Sequence, residues 1–91
     1  MAPKELTLGQ NYPNPFNPTT MIEFTLQQEG RAVMKIYNTL GQEVATVFDQ
    51  VAESGRIYQV PFDASRLTSG VYLSVLESGG KRLQQKMLLI K

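Results

Sequence analysis

The sequence predicts an all-β domain of about seven short antiparallel strands packed as two sheets, and three observations carry that expectation. Glycines at 9, 30, 41, 55, 70, 79 and 80 punctuate the chain, mostly at the roughly 10–15-residue spacing of a sandwich or barrel. Between them, apolar and polar residues alternate with the period of two that gives a strand one buried face. No segment sustains the i, i+3, i+4, i+7 spacing of an amphipathic helix. The 91 residues fit one domain, and a chain of this size buries only about 60–65% of its unfolded surface, which leaves a thin core.

The elements follow in order. A short first strand covers Glu5 to Leu8. The second runs from Thr20 to Gln27, with Ile22, Phe24 and Leu26 alternating against Glu23, Thr25 and Gln27. The third runs from Arg31 to Asn38, with Ala32, Met34 and Ile36 on one face. Thr39-Leu40-Gly41-Gln42 makes a tight connection in which Gly41 supplies positive φ, and the fourth strand covers Glu43 to Phe48. The fifth, Arg56 to Phe62, places Tyr58, Val60 and Phe62 on one face. It contains Pro61, which cannot donate to a ladder, so it belongs at an edge or carries a bulge. The sixth, Val71 to Glu77, is apolar on both faces and therefore central. Gly79-Gly80 forms a hairpin into the seventh, Lys81 to Ile90.

Tyr72 sits two residues after Gly70 at the start of the sixth strand, where a tyrosine corner would bond back to the preceding loop. That detail makes the expected sandwich immunoglobulin-like. Position 74 is Ser, consistent with a sandwich that lacks the inter-sheet disulfide.

Composition narrows the chemistry. The chain has no His and no Cys. This removes the commonest general base, the Ser-His and Cys-His nucleophile pairs, thiolate ligands and disulfides. Its eight carboxylates lie mostly on outward strand positions or in loops, and nothing in their spacing brings two together. Asp63, opening Asp63-Ala64-Ser65, suits a turn hydrogen bond better than a metal. No enzymatic activity, cofactor or metal is expected. The net charge of +1 provides no global field for nucleic acid. No apolar run reaches the length of a membrane helix, and no leader opens the chain. Residues 1–5 read as an artificial start or the end of a linker, and residues 6–91 as a single domain. If the domain is exported, its address lies upstream in a longer protein, or the chain is a cut-out piece.

Two segments stand apart. Asn11-Tyr12-Pro13-Asn14-Pro15-Phe16-Asn17-Pro18-Thr19-Thr20 holds three closely spaced prolines, which forbid helix and regular pairing. It should be a stiff extended loop with Asn14 and Asn17 in Asx-turns and Tyr12 and Phe16 pinned on the sandwich. It serves either as a cap on the core or as a recognition surface. The other segment is the last strand. Residues 1–80 hold five basic and eight acidic residues, whereas residues 81–91 hold Lys81, Arg82, Lys86 and Lys91 and no acid. Such lysines discourage edge pairing. However, Met87-Leu88-Leu89-Ile90 is apolar on both faces, which points to a surface offered to a partner. In isolation, this strand could also pair with a copy of itself.

These residues resemble a known family, the type A C-terminal sorting domain of the bacterial type IX secretion system (the Por secretion system). The Pro-rich run is similar to its opening motif. Three further blocks follow in the family's order: Lys35-Ile36-Tyr37-Asn38-Thr39-Leu40-Gly41-Gln42-Glu43-Val44, then Phe62-Asp63-Ala64-Ser65 through Leu67, Ser69, Gly70, Val71 and Tyr72, and last Lys86-Met87-Leu88-Leu89-Ile90-Lys91. Together they span residues 11–91. Two departures stand out. Gly55 to Phe62 is one step longer than usual, so a bulge is expected near Pro61, and Glu53 stands where the family has Pro.

The resemblance implies an immunoglobulin-like sandwich at the C-terminus of a larger secreted cargo. It implies recognition by the outer-membrane translocon or shuttle receptor after passage through the periplasm. A sortase then typically cleaves the domain, upstream of Leu6, and attaches the cargo to the outer-membrane surface. On this reading Lys86, Met87, Leu88, Leu89, Ile90 and Lys91 form the recognition element. Pro13, Asn14, Pro15, Phe16, Asn17, Pro18, Gly41, Asp63, Gly70 and Tyr72 mainly set shape. The alternatives are a structural or adhesive module of a surface protein, or a carbohydrate-binding appendage of a hydrolase.

Overall fold

The computed structural model describes residues 5–91, so the start read at Met1 to Lys4 lies outside the described residues. The described residues form seven strands: β1 (Thr7–Leu8), β2 (Thr19–Thr25), β3 (Gly30–Asn38), β4 (Glu43–Ala52), β5 (Tyr58–Asp63), β6 (Gly70–Ser78) and β7 (Lys81–Leu89). They form a three-stranded sheet, β1-β2-β5, and a four-stranded sheet, β4-β3-β6-β7, with every pairing antiparallel. Two antiparallel sheets packed in this strand order make an immunoglobulin-like sandwich.

The alternation read from sequence decides what lies between the sheets. Ile22 and Phe24 from β2, Val60 and Phe62 from β5, Ala32, Met34 and Ile36 from β3, and Tyr72 and Leu76 from β6 are all buried in one core. Phe24 stacks on Tyr58 at 5.1 Å and meets Phe48 edge-on at 5.0 Å, geometries that add to simple burial. β6 is central, between β3 and β7, and Gly79-Gly80 closes its hairpin at the Ser78–Lys81 pair.

Pro61 lies on the edge strand of the smaller sheet, where its missing N–H costs no ladder bond. The expected bulge beside it is absent, because β2 and β5 stay in continuous register from Thr19–Asp63 to Phe24–Tyr58. The extra residue is taken up instead before Tyr58, in a loop where Ile57 is exposed and Arg56 covers the Tyr58 ring. The register shifts fall in the β3–β4 pairing, between Met34 and Lys35 and between Ile36 and Tyr37, where β4 contributes Val47 and Val44 as the extra residues. β4 also runs four residues past the expected end at Phe48. Asp49 to Ala52 is polar at two positions but pairs with Gly30 to Val33, and ladder pairing outweighs weak strand propensity.

Candidate functional site

The two segments singled out by sequence fold into one assembly. The Pro-rich loop leaves β1, makes a bridge to β2 at Tyr12–Met21, and then runs along the outer edge of β7. The Phe16 N–H donates to Leu88 O at 2.9 Å and the Ile90 N–H donates to Phe16 O at 3.0 Å. The Leu88 N–H donates to Asn14 Oδ1 at 2.9 Å, and Gln10 Nε2 donates to Lys86 O at 2.8 Å. The outward backbone of β7 from Lys86 O to Ile90 N is therefore largely hydrogen-bonded to the loop. Such bonding removes a ready template for pairing.

The loop is held from beneath. The Phe16 ring is 2% exposed and lies 6.1 Å from Phe62. Asn11 is buried and donates to Pro13 O at 3.1 Å and to Thr20 Oγ1 at 3.1 Å, while the Thr20 hydroxyl donates to Pro13 O at 2.8 Å. Ala64 N–H closes the far end onto Pro18 O. Two expectations for this loop are corrected. Tyr12 is 81% exposed and caps nothing; its backbone bridge to Met21 turns the side chain to solvent. Asn14 makes no turn with its own backbone but reaches across to β7, and Asn17 makes no side-chain hydrogen bond among the described residues. Pro13, Pro15 and Pro18 carry the chain between these contacts.

The six residues read as a recognition element, four at the end of β7 and two beyond it, divide by face. Met87 and Leu89 are 0% exposed and belong to the core, whereas Leu88 and Ile90 are 37% and 50% exposed. Lys86 is exposed and joins no ion pair among the described residues. Lys91 is tied down: its N–H donates to Ser69 Oγ and its Nζ to Ser65 O at 2.6 Å. Of the six, Lys86, Leu88, Ile90 and Lys91 are exposed, Lys91 with its ammonium held by Ser65 O. Beside it, Asn14, Pro15, Val71, Lys86 and Leu88 line a shallow depression of about 260 Å³.

Tyr72, Gly41, Gly70 and Asp63, read from sequence as setting shape, lie at turns and a corner of the sandwich. Tyr72 OH donates to Thr68 O at 2.7 Å, the tyrosine corner. Gly41 has φ of 80° and Gly70 has φ of 151°, backbone that a side chain would strain. Asn38 supports the Gly41 turn, its Oδ1 accepting from the N–H groups of Leu40 and Gln42. Asp63 Oδ1 accepts from the Ser65 N–H at 2.9 Å, the turn bond read from sequence. That bond, the Ser65 hydroxyl and the Lys91 charge hold the Asp63 carboxyl below its usual range, against a smaller opposing effect of burial. Sequence gave no sign of Gln10 or Gln85, whose side chains tie β1 and the loop to β7, because a glutamine's reach across two sheets leaves no periodic signal.

The fold and this arrangement define a sandwich domain that displays a stapled, cationic terminal strand. A protein-family model described as "Secretion system C-terminal sorting domain" matches residues 10–91. The chain belongs to that family, the C-terminal sorting domains of type IX secretion. Such a domain is part of a larger cargo bound for the cell surface or the medium. A search of curated proteins gave no match.

Proposed function

We propose that this domain is a folded address rather than a catalyst. The type IX translocon or its shuttle receptor reads it in the periplasm through the side chains of Lys86, Leu88, Ile90 and Lys91. A sortase then removes it by a cut upstream of Leu6 and attaches the cargo to the outer-membrane surface. The observation that carries the reading is the covered edge of β7. With its backbone from Lys86 to Ile90 largely bonded to the Pro-rich loop, this half of the strand offers a partner chiefly side chains: two apolar groups flanked by two ammonium groups. Apolar contacts then supply affinity and the charges supply orientation.

The test is a reporter. The domain is placed behind a signal peptide and a fluorescent protein that matures in the periplasm, in a cell with type IX secretion. It is compared with Leu88→Ser and Lys86→Glu variants, and folding is checked by circular dichroism. Export of the parent and periplasmic retention of the folded variants is the expected result. Retention of the parent too would leave a structural or adhesive module as the better account. Tyr72→Phe should follow stability alone; a folded Tyr72→Phe domain that stays in the periplasm would put Tyr72 in the recognition surface.

A further inference from the structure

The last strand is closed along one half and open along the other. From Lys86 to Ile90 its outward backbone is largely bonded to the Pro-rich loop, and that cover begins where Gln10 Nε2 donates to Lys86 O at 2.8 Å. Toward the start of β7, the outward N–H and C=O groups of Arg82 and Gln84 bond no other segment among the described residues. Unpaired groups at strand spacing are a template for another extended peptide.

The space beside the open half can take the side chains of such a peptide. β1, the strand of the smaller sheet that lies against β7, is only two residues long. The seam between the sheets is therefore left open toward the start of β7. The inward residues of β7 show this: Met87 and Leu89 are buried, whereas Leu83 and Gln85 are half-buried. Gln85 closes the seam at its own position by donating to Leu8 O at 3.0 Å. Before it lies an open trough of about 450 Å³, lined by Glu5, Leu6, Gln27, Lys81, Arg82 and Leu83. Its apolar members, Leu6 and Leu83, pack against the core. A strand added along Arg82 and Gln84 would turn alternate side chains toward this trough and the others to the outer face. Backbone bonds of this kind give affinity, and a seat for alternate side chains gives specificity.

We infer that the N-terminal half of β7 takes an extended segment of the secretion machinery as an added strand, bonded to the backbone of Arg82 and Gln84, with an apolar side chain seated between Leu6 and Leu83. This rests on the address reading above and adds a backbone contact to it. Continuity along one strand names the occupant, because a partner lying along β7 meets the open backbone and then the exposed side chains of Lys86 and Leu88. A second copy fits the edge less well. A stable dimer buries roughly 1,200 Å² or more, and the open stretch stops at the Gln10–Lys86 bond.

The secretion reporter tests this with prolines, which delete an outward N–H and leave the ladder to β6 intact. Gln84→Pro and Arg82→Pro should fold, as judged by circular dichroism and thermal melting, because an edge strand tolerates proline where the N–H faces outward. Export of both should fall about tenfold or more. Gln84→Ala keeps the N–H and should lose much less. Gln59→Pro makes a comparable change on the edge strand β5 and should export normally. Leu6→Lys charges the trough without altering β7 and should also lower export; it decides the matter if neither β7 proline variant folds. Normal export of a folded Gln84→Pro or Leu6→Lys domain overturns the added strand. If Leu88→Ser is retained in that case, the side-chain reading survives; if Leu88→Ser is exported too, both fall. Equal losses from Gln84→Pro and Gln84→Ala overturn the backbone contact, because the side chain would then be what is read. Loss of export in a folded Gln59→Pro domain overturns the assignment to β7. A dimer in sedimentation velocity that Gln84→Pro abolishes with export unchanged assigns the edge to a second copy instead.

Discussion

The two margins of the four-stranded sheet solve the same problem in opposite ways. β7 is regular, paired with β6 without a break from Gly70–Leu89 to Ser78–Lys81. A straight, unbroken edge is the best template for a stray strand, and here its C-terminal half is covered by the Pro-rich loop. β4 has no such cover among the described residues, although at ten residues it is the longest strand. Its two register shifts bend it, and Asp49 and Glu43 add charge. Bulges and charge blunt an edge without a covering segment. The lesson is that a covering loop is needed where regularity is kept, and that bulges and charge suffice where it is not.

Removing the staple should produce the largest effect. Phe16→Ala deletes a buried ring from the loop and should cost about 3–5 kcal/mol in urea unfolding. Amide exchange at Leu88 and Ile90 should rise well beyond the global change. Uniform acceleration across the domain would mean that Phe16 is ordinary core and not a clamp on β7. Asn14→Ala removes one acceptor and should cost about 0.5–1.5 kcal/mol, with the Leu88 amide exchanging faster. If that amide is unmoved, the loop's hold on β7 rests on Phe16 alone.

The other half of β7 sharpens the contrast. The outward backbone of Arg82 and Gln84 makes no hydrogen bond to another segment among the described residues, so side-chain charge is its main defence. Arg82→Val should leave stability within about 0.5 kcal/mol and yet promote concentration-dependent association in sedimentation velocity. The same substitution at Asp49 on irregular β4 should not. Equal association from both strands would remove the regularity argument.

These differences also explain what was legible in the sequence. Periodicity gave the strands, because alternation reports which face is buried, and Ile22, Met34 and Ile36 needed nothing more. It did not give the β4 bulges. Val44 and Val47 are as apolar as their neighbours, and a bulge is a property of the pair, not of one strand. Proline spacing predicts a stiff loop but not its destination, so it shows neither that Tyr12 faces solvent nor that Asn14 bonds β7. The loop's bonds go to β2 and to β7, more than seventy residues away for Asn14, and no local pattern reports them. The segment from Lys86 to Lys91 stands out by composition alone, but its division into Met87 and Leu89 inside and Lys86, Leu88 and Ile90 outside needs the register.

The smallest expected effect lies where β5 hands the chain to β6, beside the end of the stapled strand. Asp63 is solvent-exposed, and its pKa is lowered first by the Ser65 N–H, then by the Ser65 hydroxyl, with Lys91 adding a weaker field. A depressed carboxyl stabilises the fold above its unfolded pKa and loses that contribution as pH falls through the lower, folded value. Asp63→Asn keeps an acceptor for the Ser65 N–H but cannot ionise. The variant should therefore be slightly less stable than the parent at neutral pH, and the gap should close on acidification as the parent carboxylate takes up its proton. Lys91→Gln should narrow the same gap only a little, because the field of an exposed ammonium is screened and ranks below both Ser65 contacts. Urea midpoints of four proteins across the acid range, the parent, the two single variants and the double variant, separate the contributions. A gap between Asp63→Asn and parent that persists once the carboxyl is protonated would mean the turn depends on the shape of the Asp63 side chain. A gap abolished by Lys91→Gln would mean that the end of the stapled strand, rather than the turn, sets the charge state of Asp63.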